Sequence, residues 1–110
     1  MRLLLIILIS FLFTKSFSVN SQALETVDIS SDGNRYIGEM LNGQRHGKGK
    51  FIHKNGEIYE GEWKNDNAHG TGILTSPNGN RWEGGMSAGQ MDGKGKLTLA
   101  DGVIYEGEMS

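Results

Sequence analysis

Residues 56–63 read GEIYEGEW, and this pattern of ring, glycine and acidic residues returns at intervals of 23 residues. At that offset the aromatic residues share one column, the glycines two positions later share a second, and Met or Trp beyond them share a third. A fixed period without insertions is typical of a repeat protein and takes priority over shorter motifs. The columns define the repeat-core residues Tyr36, Gly38, Met40, Gly47, Gly49, Phe51, Tyr59, Gly61, Trp63, Gly70, Gly72, Leu74, Trp82, Gly84, Met86, Gly93, Gly95, Leu97, Tyr105, Gly107 and Met109.

The segments between turns alternate in polarity and show no helical period, which predicts β-strands. In the second copy Tyr59, Gly61 and Trp63 share one face of a strand. A three-residue loop over 54–56 sets Phe51 opposite Tyr59 and keeps the ring positions on that face, whereas a two-residue loop mixes the faces. We therefore predict an all-β fold: a single-layer, elongated antiparallel β-meander of about eight strands, built from 23-residue hairpin repeats and open at both edges.

The first 23 residues hold no acidic residue and no glycine. Arg2 precedes an apolar run of 11 residues, and Ser21 and Ala23 are small residues where a signal peptidase cleaves. Because the run is shorter than the ~20 residues that span a bilayer, we predict a secretory signal over 1–23 that is cleaved after Ala23. The product would be secreted or periplasmic. An uncleaved membrane anchor is the alternative, since the polar stretch that begins at Lys15 is long.

The composition of the remaining chain narrows the classes of function. Without the first 23 residues there are 9 basic and 13 acidic side chains, a net charge of −4. An acidic chain without a basic stripe argues against nucleic-acid binding. The absence of cysteine means that no disulfide stabilises this small exported domain. Stability is therefore expected to come from neighbouring repeats that stack on one another.

The run YEGEWKN at 59–65, the HGxGxL pattern at 69–74 and the PNG turn at 77–79 resemble the MORN repeat. The resemblance divides the MORN-repeat domain, 24–110, into a partial copy over 24–35, repeats over 36–58, 59–81 and 82–104, and a half repeat over 105–110. The copies depart from the family pattern at Met40, Met86 and Met109 (for Trp), Gly85 (for Glu), Asp66 (for Gly) and Asp92 (for His). The resemblance implies an accessory module that acts as a scaffold, dimerisation element or membrane-proximal platform.

Candidate catalytic and metal-binding residues are explained by the repeat. His46 and His69 occupy the same position of successive copies and are predicted as loop residues ~10 Å apart, too far for a shared metal ion. Glutamates that recur in the copies lack the asymmetric surroundings that separate the pKa values of a catalytic pair. They are Glu39, Glu60, Glu62, Glu83, Glu106 and Glu108, most of them expected opposite lysines. The sequence predicts no enzyme activity, no metal, no cofactor and no small-molecule substrate.

Three classes of function remain. We favour a non-catalytic module for protein–protein interaction or self-association, because a single-layer sheet has an exposed apolar row and two unpaired edges. The last strand, over 103–109, is the expected dimer edge. The alternative is peripheral membrane or phospholipid binding through a lipid-facing basic patch of Arg45, Lys48, Lys50 and Lys54, although the net charge of −4 opposes attraction to anionic lipid.

Cell-wall or carbohydrate binding is the weaker alternative. An export signal followed by repeated aromatic hairpins is similar at low resolution to the repeats of wall-binding proteins. Such repeats carry adjacent aromatic pairs that form cages for sugar or choline. Here the two rings of the second copy, Tyr59 and Trp63, are four positions apart with a glycine between them.

Overall fold

A computed structural model describes residues 24–109 of the 110-residue chain. The predicted secretory signal over 1–23 and its cleavage after Ala23 lie outside the described residues, and so does Ser110. No helix in the described range is long and apolar enough to cross a membrane.

One antiparallel sheet of eight strands makes up the described chain, and each strand pairs with its neighbours in sequence. The strands are Glu25–Ser31 (β1), Asn34–Leu41 (β2), Gln44–Ile52 (β3), Ile58–Lys64 (β4), Asn67–Thr75 (β5), Arg81–Ser87 (β6), Gln90–Thr98 (β7) and Ile104–Met109 (β8). The sheet measures 71 × 27 × 17 Å. The predicted all-β, single-layer meander is therefore confirmed.

The hairpins β3–β4, β5–β6 and β7–β8 turn through the predicted three-residue loop. In the first of them the Gly56 N–H donates to the His53 carbonyl and the His53 N–H donates to the Glu57 carbonyl, both at 2.8 Å. Gly56 has a φ of 98°, as expected for a type I turn closed by a left-handed glycine. The resulting register confirms the predicted pairs Phe51 with Tyr59, Gly49 with Gly61, Lys50 with Glu60, Lys48 with Glu62, Leu74 with Trp82, Leu97 with Tyr105, Lys96 with Glu106 and Lys94 with Glu108.

The other hairpins turn through two residues that both have positive φ, which is the type I′ geometry. The turn formed by Asp32 and Gly33 belongs to this group, although its sequence column groups it with the three-residue turns. An Asp-Gly pair is favoured in a type I′ turn. Here it closes a loop of two residues, whereas the same pair at 101–102 lies in a loop of three. Ile29 rather than Asp28 consequently lies opposite Tyr36.

The core is a row of rings on one face of the sheet. Tyr36, Tyr59 and Trp82 are 3%, 5% and 1% exposed, and each ring lies against two glycines on adjacent strands. A Cβ added at Gly61 would lie 2.7 Å from the Tyr59 hydroxyl, and one added at Gly72 would meet the same ring. The paired glycines thus leave a strip of bare backbone on which a ring packs.

Trp63 packs between two repeats. Its ring meets those of Tyr36 and Tyr59 edge-on, with centroids 5.5 and 5.2 Å apart, and its Nε1 donates to the Gly49 carbonyl at 3.1 Å. One repeat later Met86 stands in the equivalent position and is 4% exposed, so the flexible methionine fills the place of the indole. The partly buried residues Val27, Met40, Phe51, Leu74, Met91, Leu97 and Met109 pack against the row.

The prediction that Tyr105 belongs to the core is wrong, because its side chain is 53% exposed. In the first copy Tyr36 is covered by Trp63 of the next copy. Tyr105 lies on the edge strand β8, and no strand within residues 24–109 follows to supply this cover. Conversely, Ala68 is 6% exposed beside the rings and was not predicted.

Replacing Gly61 with valine is expected to lower the free energy of unfolding by ~1–3 kcal/mol through overpacking. A Cβ at this position would lie 2.6 Å from the Thr71 carbonyl oxygen, so backbone as well as the Tyr59 ring must move. Urea denaturation measures the change. The control Glu60→Gln alters an exposed side chain of the opposite face and should stay within ~0.5 kcal/mol of the wild type. Equal stability of Gly61→Val and wild type would contradict the packing of rings on bare backbone.

Candidate functional site

A β-bulge recurs in each of the three repeats, and one residue of the shorter strand stands opposite three residues of its partner. In the second repeat, residues 69–71 of β5 lie opposite the single residue Glu62 of β4. The Glu62 carbonyl accepts the Tyr59 hydroxyl at 2.9 Å, and burial raises the pKa of Tyr59, which keeps this hydroxyl a donor. The Glu62 carboxylate turns back and accepts the Thr71 N–H at 2.8 Å. Glu62 therefore caps a backbone donor that the bulge removes from the strand ladder.

The first repeat has the same capped bulge, in which the Lys48 N–H donates to the Glu39 carboxylate at 2.7 Å. Gly70 has a φ of 88°, and a Cβ there would collide with the Glu62 carboxylate. The bond from the Thr71 N–H, followed by the Thr71 hydroxyl, lowers the pKa of Glu62. The motif thus needs glycine both for the left-handed backbone and for the space that the carboxylate fills.

These caps revise the predicted lysine–glutamate face. The ion pairs within residues 24–109 are Arg35–Asp28, Arg45–Asp66 and Arg81–Glu83, and none joins a lysine to a glutamate. A shallow concavity of about 550 Å³ lies on this face instead, and its lining includes Lys48, Lys50, Glu60 and Glu62. Its walls carry both charges, so it is not a cationic surface.

Arg45 lies on the ring face and is enclosed by aromatic side chains. Its Cζ atom is 4.5 Å from the Trp63 ring centroid and 5.0 Å from that of Phe51. Its Nε donates to the Asp66 carboxylate at 2.6 Å, and a terminal nitrogen donates to the Asp66 carbonyl at 2.9 Å. The backbone adds a bond from the Asp66 N–H to the Arg45 carbonyl at 2.9 Å. This stacked, paired guanidinium joins the β2–β3 hairpin to the turn of the next repeat.

The predicted basic patch is therefore not one surface. Arg45 lies among the rings, while Lys48 and Lys50 lie on the opposite face, because they alternate with Gly47 and Gly49 along β3. Lys54 lies in the β3–β4 turn.

Asp66 departs from its repeat column, and Arg45 is the one charged residue in a column that otherwise holds Ala68 and Met91. Arg45 stands in the column of the small, buried Ala68, and Asp66 stands in the column of Gly43. Asp66 has a φ of 73°, a left-handed value that Asp tolerates better than most residues. The sequence analysis does not predict this pair, although an acidic residue in a glycine column and a basic residue in a column of uncharged residues together indicate it.

The prediction that the two histidines lie in loops is wrong. His46 lies within strand β3 and His69 within strand β5. The bulge places each of them just before its left-handed glycine, Gly47 or Gly70. The Asn65 N–H points to His46 Nδ1 at 3.4 Å. Residues 24–109 contain no group of three or more side chains suited to hold a metal ion.

Stability is expected to fall as the pH drops below ~4, near the ordinary carboxyl range. The Arg45 side chain lowers the pKa of Asp66, and Thr71 lowers that of Glu62. A carboxyl with a lower pKa in the folded chain stabilises it fully above the unfolded pKa. This contribution is lost as the pH falls through the folded pKa. Thermal midpoints between pH ~7 and pH ~3 measure the decline.

The control for this pH dependence is Asp66→Asn, which keeps a side chain that tolerates the left-handed backbone and removes the charge. Its thermal midpoint should be lower than that of the wild type at neutral pH, and its decline toward acid should be shallower. An unchanged pH profile would contradict the contribution of the Arg45–Asp66 pair.

Comparison with known proteins gives the same repeat boundaries. The sequence model of the MORN repeat matches residues 36–58, 59–81 and 82–104, which is more than half of the chain. The chain is also 45% identical over 47 residues to MORN repeat-containing protein 3 of Xenopus laevis, an alignment that covers 42% of this chain and 20% of that protein. It thus matches about a fifth of that relative's length. With the repeat geometry described above, these matches show that the chain belongs to the MORN repeat family.

Proposed function

We propose that this chain is a non-catalytic interaction module that binds a protein strand along the edge of β8, which pairs with no further strand within residues 24–109. MORN repeats are generally modules for protein or membrane interactions, and MORN repeat proteins are generally non-catalytic. The observation that carries the proposal is the exposure of Val103, Ile104 and Tyr105, which are 54%, 56% and 53% exposed on and beside this edge strand. Exposed apolar side chains next to an open strand edge favour the addition of another strand.

The backbone of β8 has donors on the free side. The Leu99 N–H donates to the Val103 carbonyl at 2.8 Å, which makes these two residues a hydrogen-bonded pair across the β7–β8 turn. Because bonding alternates along an antiparallel ladder, the N–H of Ile104 points away from β7, and those of Glu106 and Glu108 follow it. An added strand would bond to these groups.

A second copy of the chain is the simplest occupant. Two β8 strands paired antiparallel about a two-fold axis perpendicular to the sheet keep their ring faces on the same side. The exposed Tyr105 of each copy then lies beside apolar side chains of the other. This would give Tyr105 the kind of cover that Trp63 gives Tyr36 within the chain.

Light scattering on the chain without residues 1–23 tests the association, which should yield a dimer. Ile104→Pro removes a donor from the free side of β8 and leaves the β7–β8 ladder intact, so this variant should be monomeric with little loss of stability. The matched control Thr26→Pro removes a free-side donor from β1 at the opposite edge, and it should still dimerise. A monomeric wild type, or a dimer that is lost with Thr26→Pro and kept with Ile104→Pro, would contradict association through β8.

Peripheral membrane binding is the competing outcome of the same measurement. It has less support, because Arg45 is held by Asp66 and Lys48 lies on the opposite face. A monomeric chain that cosediments with anionic vesicles would favour it over strand addition.

We also propose, from the sequence pattern alone, that residues 1–23 direct export and are removed. Intact-mass measurement of the exported product should then give a chain that begins at Leu24. A product that retains Met1 and remains in the membrane fraction would instead identify an uncleaved anchor.

A further inference from the structure

The third repeat lacks the carboxylate that caps the bulge in the first two. The column of bulge residues reads Glu39, Glu62, Gly85 and Glu108, so glycine interrupts a run of glutamates. The register shifts around Gly85 as it does at the other bulges, and its carbonyl accepts Trp82 Nε1 at 3.0 Å. The carbonyl is therefore turned toward the ring face, as in the other repeats, but no side chain returns to the opposite strand.

The donor that loses its side-chain cap by this change is the N–H of Lys94. It occupies the position of the Lys48 and Thr71 N–H groups, which donate to carboxylates at 2.7 and 2.8 Å. A Cβ added at Gly47 or Gly70 would meet such a carboxylate, whereas one added at Gly93 would meet nothing within 4 Å. The space that holds a carboxylate in two repeats is thus open in the third.

The gap cannot be closed by a side chain at Gly85 itself without a shift of the backbone. A Cβ at Gly85 would collide with the carbonyl oxygen of Asp92. The Asp92 carbonyl oxygen occupies the place from which a glutamate side chain would start, so residue 85 does not supply the acceptor. Lys94 is exposed, which leaves the approach from solvent open.

We propose that the third repeat binds a carboxylate group from outside, with one oxygen accepting the N–H of Lys94. Its chemical class is an aspartate or glutamate side chain of a partner protein, because the same fold already holds glutamate carboxylates at the two equivalent positions. A hydrogen bond from a backbone N–H to an ionised oxygen is stronger than a neutral one and fixes the acidic side chain in register with the repeat. The partner as source rests on the proposed function, whereas the site itself does not require association through β8.

The test uses the ¹⁵N-labelled full-length chain, titrated with sodium acetate against sodium chloride at equal ionic strength. The amide of Lys94 should show a saturable downfield shift that is several-fold larger than the shifts of Lys48 and Thr71, whose donors are already bonded. Equal shifts of all three amides would reveal a general salt effect and overturn the site, and so would an unresponsive Lys94.

The variant Glu62→Gly provides the matched control, because it removes the cap from Thr71 and should give that amide the acetate response of Lys94. If Thr71 responds in this variant while Lys94 does not, the third repeat is closed and the proposal is wrong. A blocked glutamate, N-acetyl-glutamate N-methylamide, should shift Lys94, and its glutamine analogue should not. Equal shifts with both would show that no carboxylate is recognised. None of these measurements depends on the dimer, so failure here is distinct from failure of β8 association.

Discussion

The fold depends on one constraint: a sheet with a single layer has no opposite layer against which to bury its rings. The rings of Tyr36, Tyr59 and Trp82 are buried by lying on the backbone of their own sheet, which requires glycine on two adjacent strands beneath each ring. The bulge follows from the same constraint. A buried ring with a polar tip needs an acceptor, so a strand carbonyl turns inward to meet the tip, and the strand opposite loses that acceptor. The glutamate cap restores the missing bond.

These linked requirements explain why so much of the fold can be predicted from the sequence. Each ring is followed at fixed distances by a glycine and by Trp or Met, as Tyr59 is by Gly61 and Trp63, and a single choice of loop length keeps all three on one face. Register and strand order therefore follow from counting residues. The first turn was less predictable, because the Asp-Gly pair fits a two-residue turn as well as a place in the repeat column.

The surface features were less predictable, because they depend on where side chains turn after the backbone is fixed. The register places Glu62 opposite Lys48, yet Glu62 bonds to the backbone of Thr71 through a bulge that alternation alone does not reveal. Arg45 was read as part of a basic surface from its charge. Arg45 lies two residues before Gly47 and four before Gly49, and this spacing already assigns it to the ring face, where Asp66 holds it. Position in the repeat was the better guide than residue type.

The strict meander order has a consequence for how the chain folds. Each strand bonds only to its neighbours in sequence, across turns of two or three residues, so every hairpin closes a short loop. Sheets with distant strand pairing fold slowly because long loops must close before contacts form. This topology avoids that delay, and we expect refolding at rates closer to those of helical proteins than of β-sandwiches. A chain that emerges progressively from a ribosome can then add one hairpin at a time to the sheet already formed.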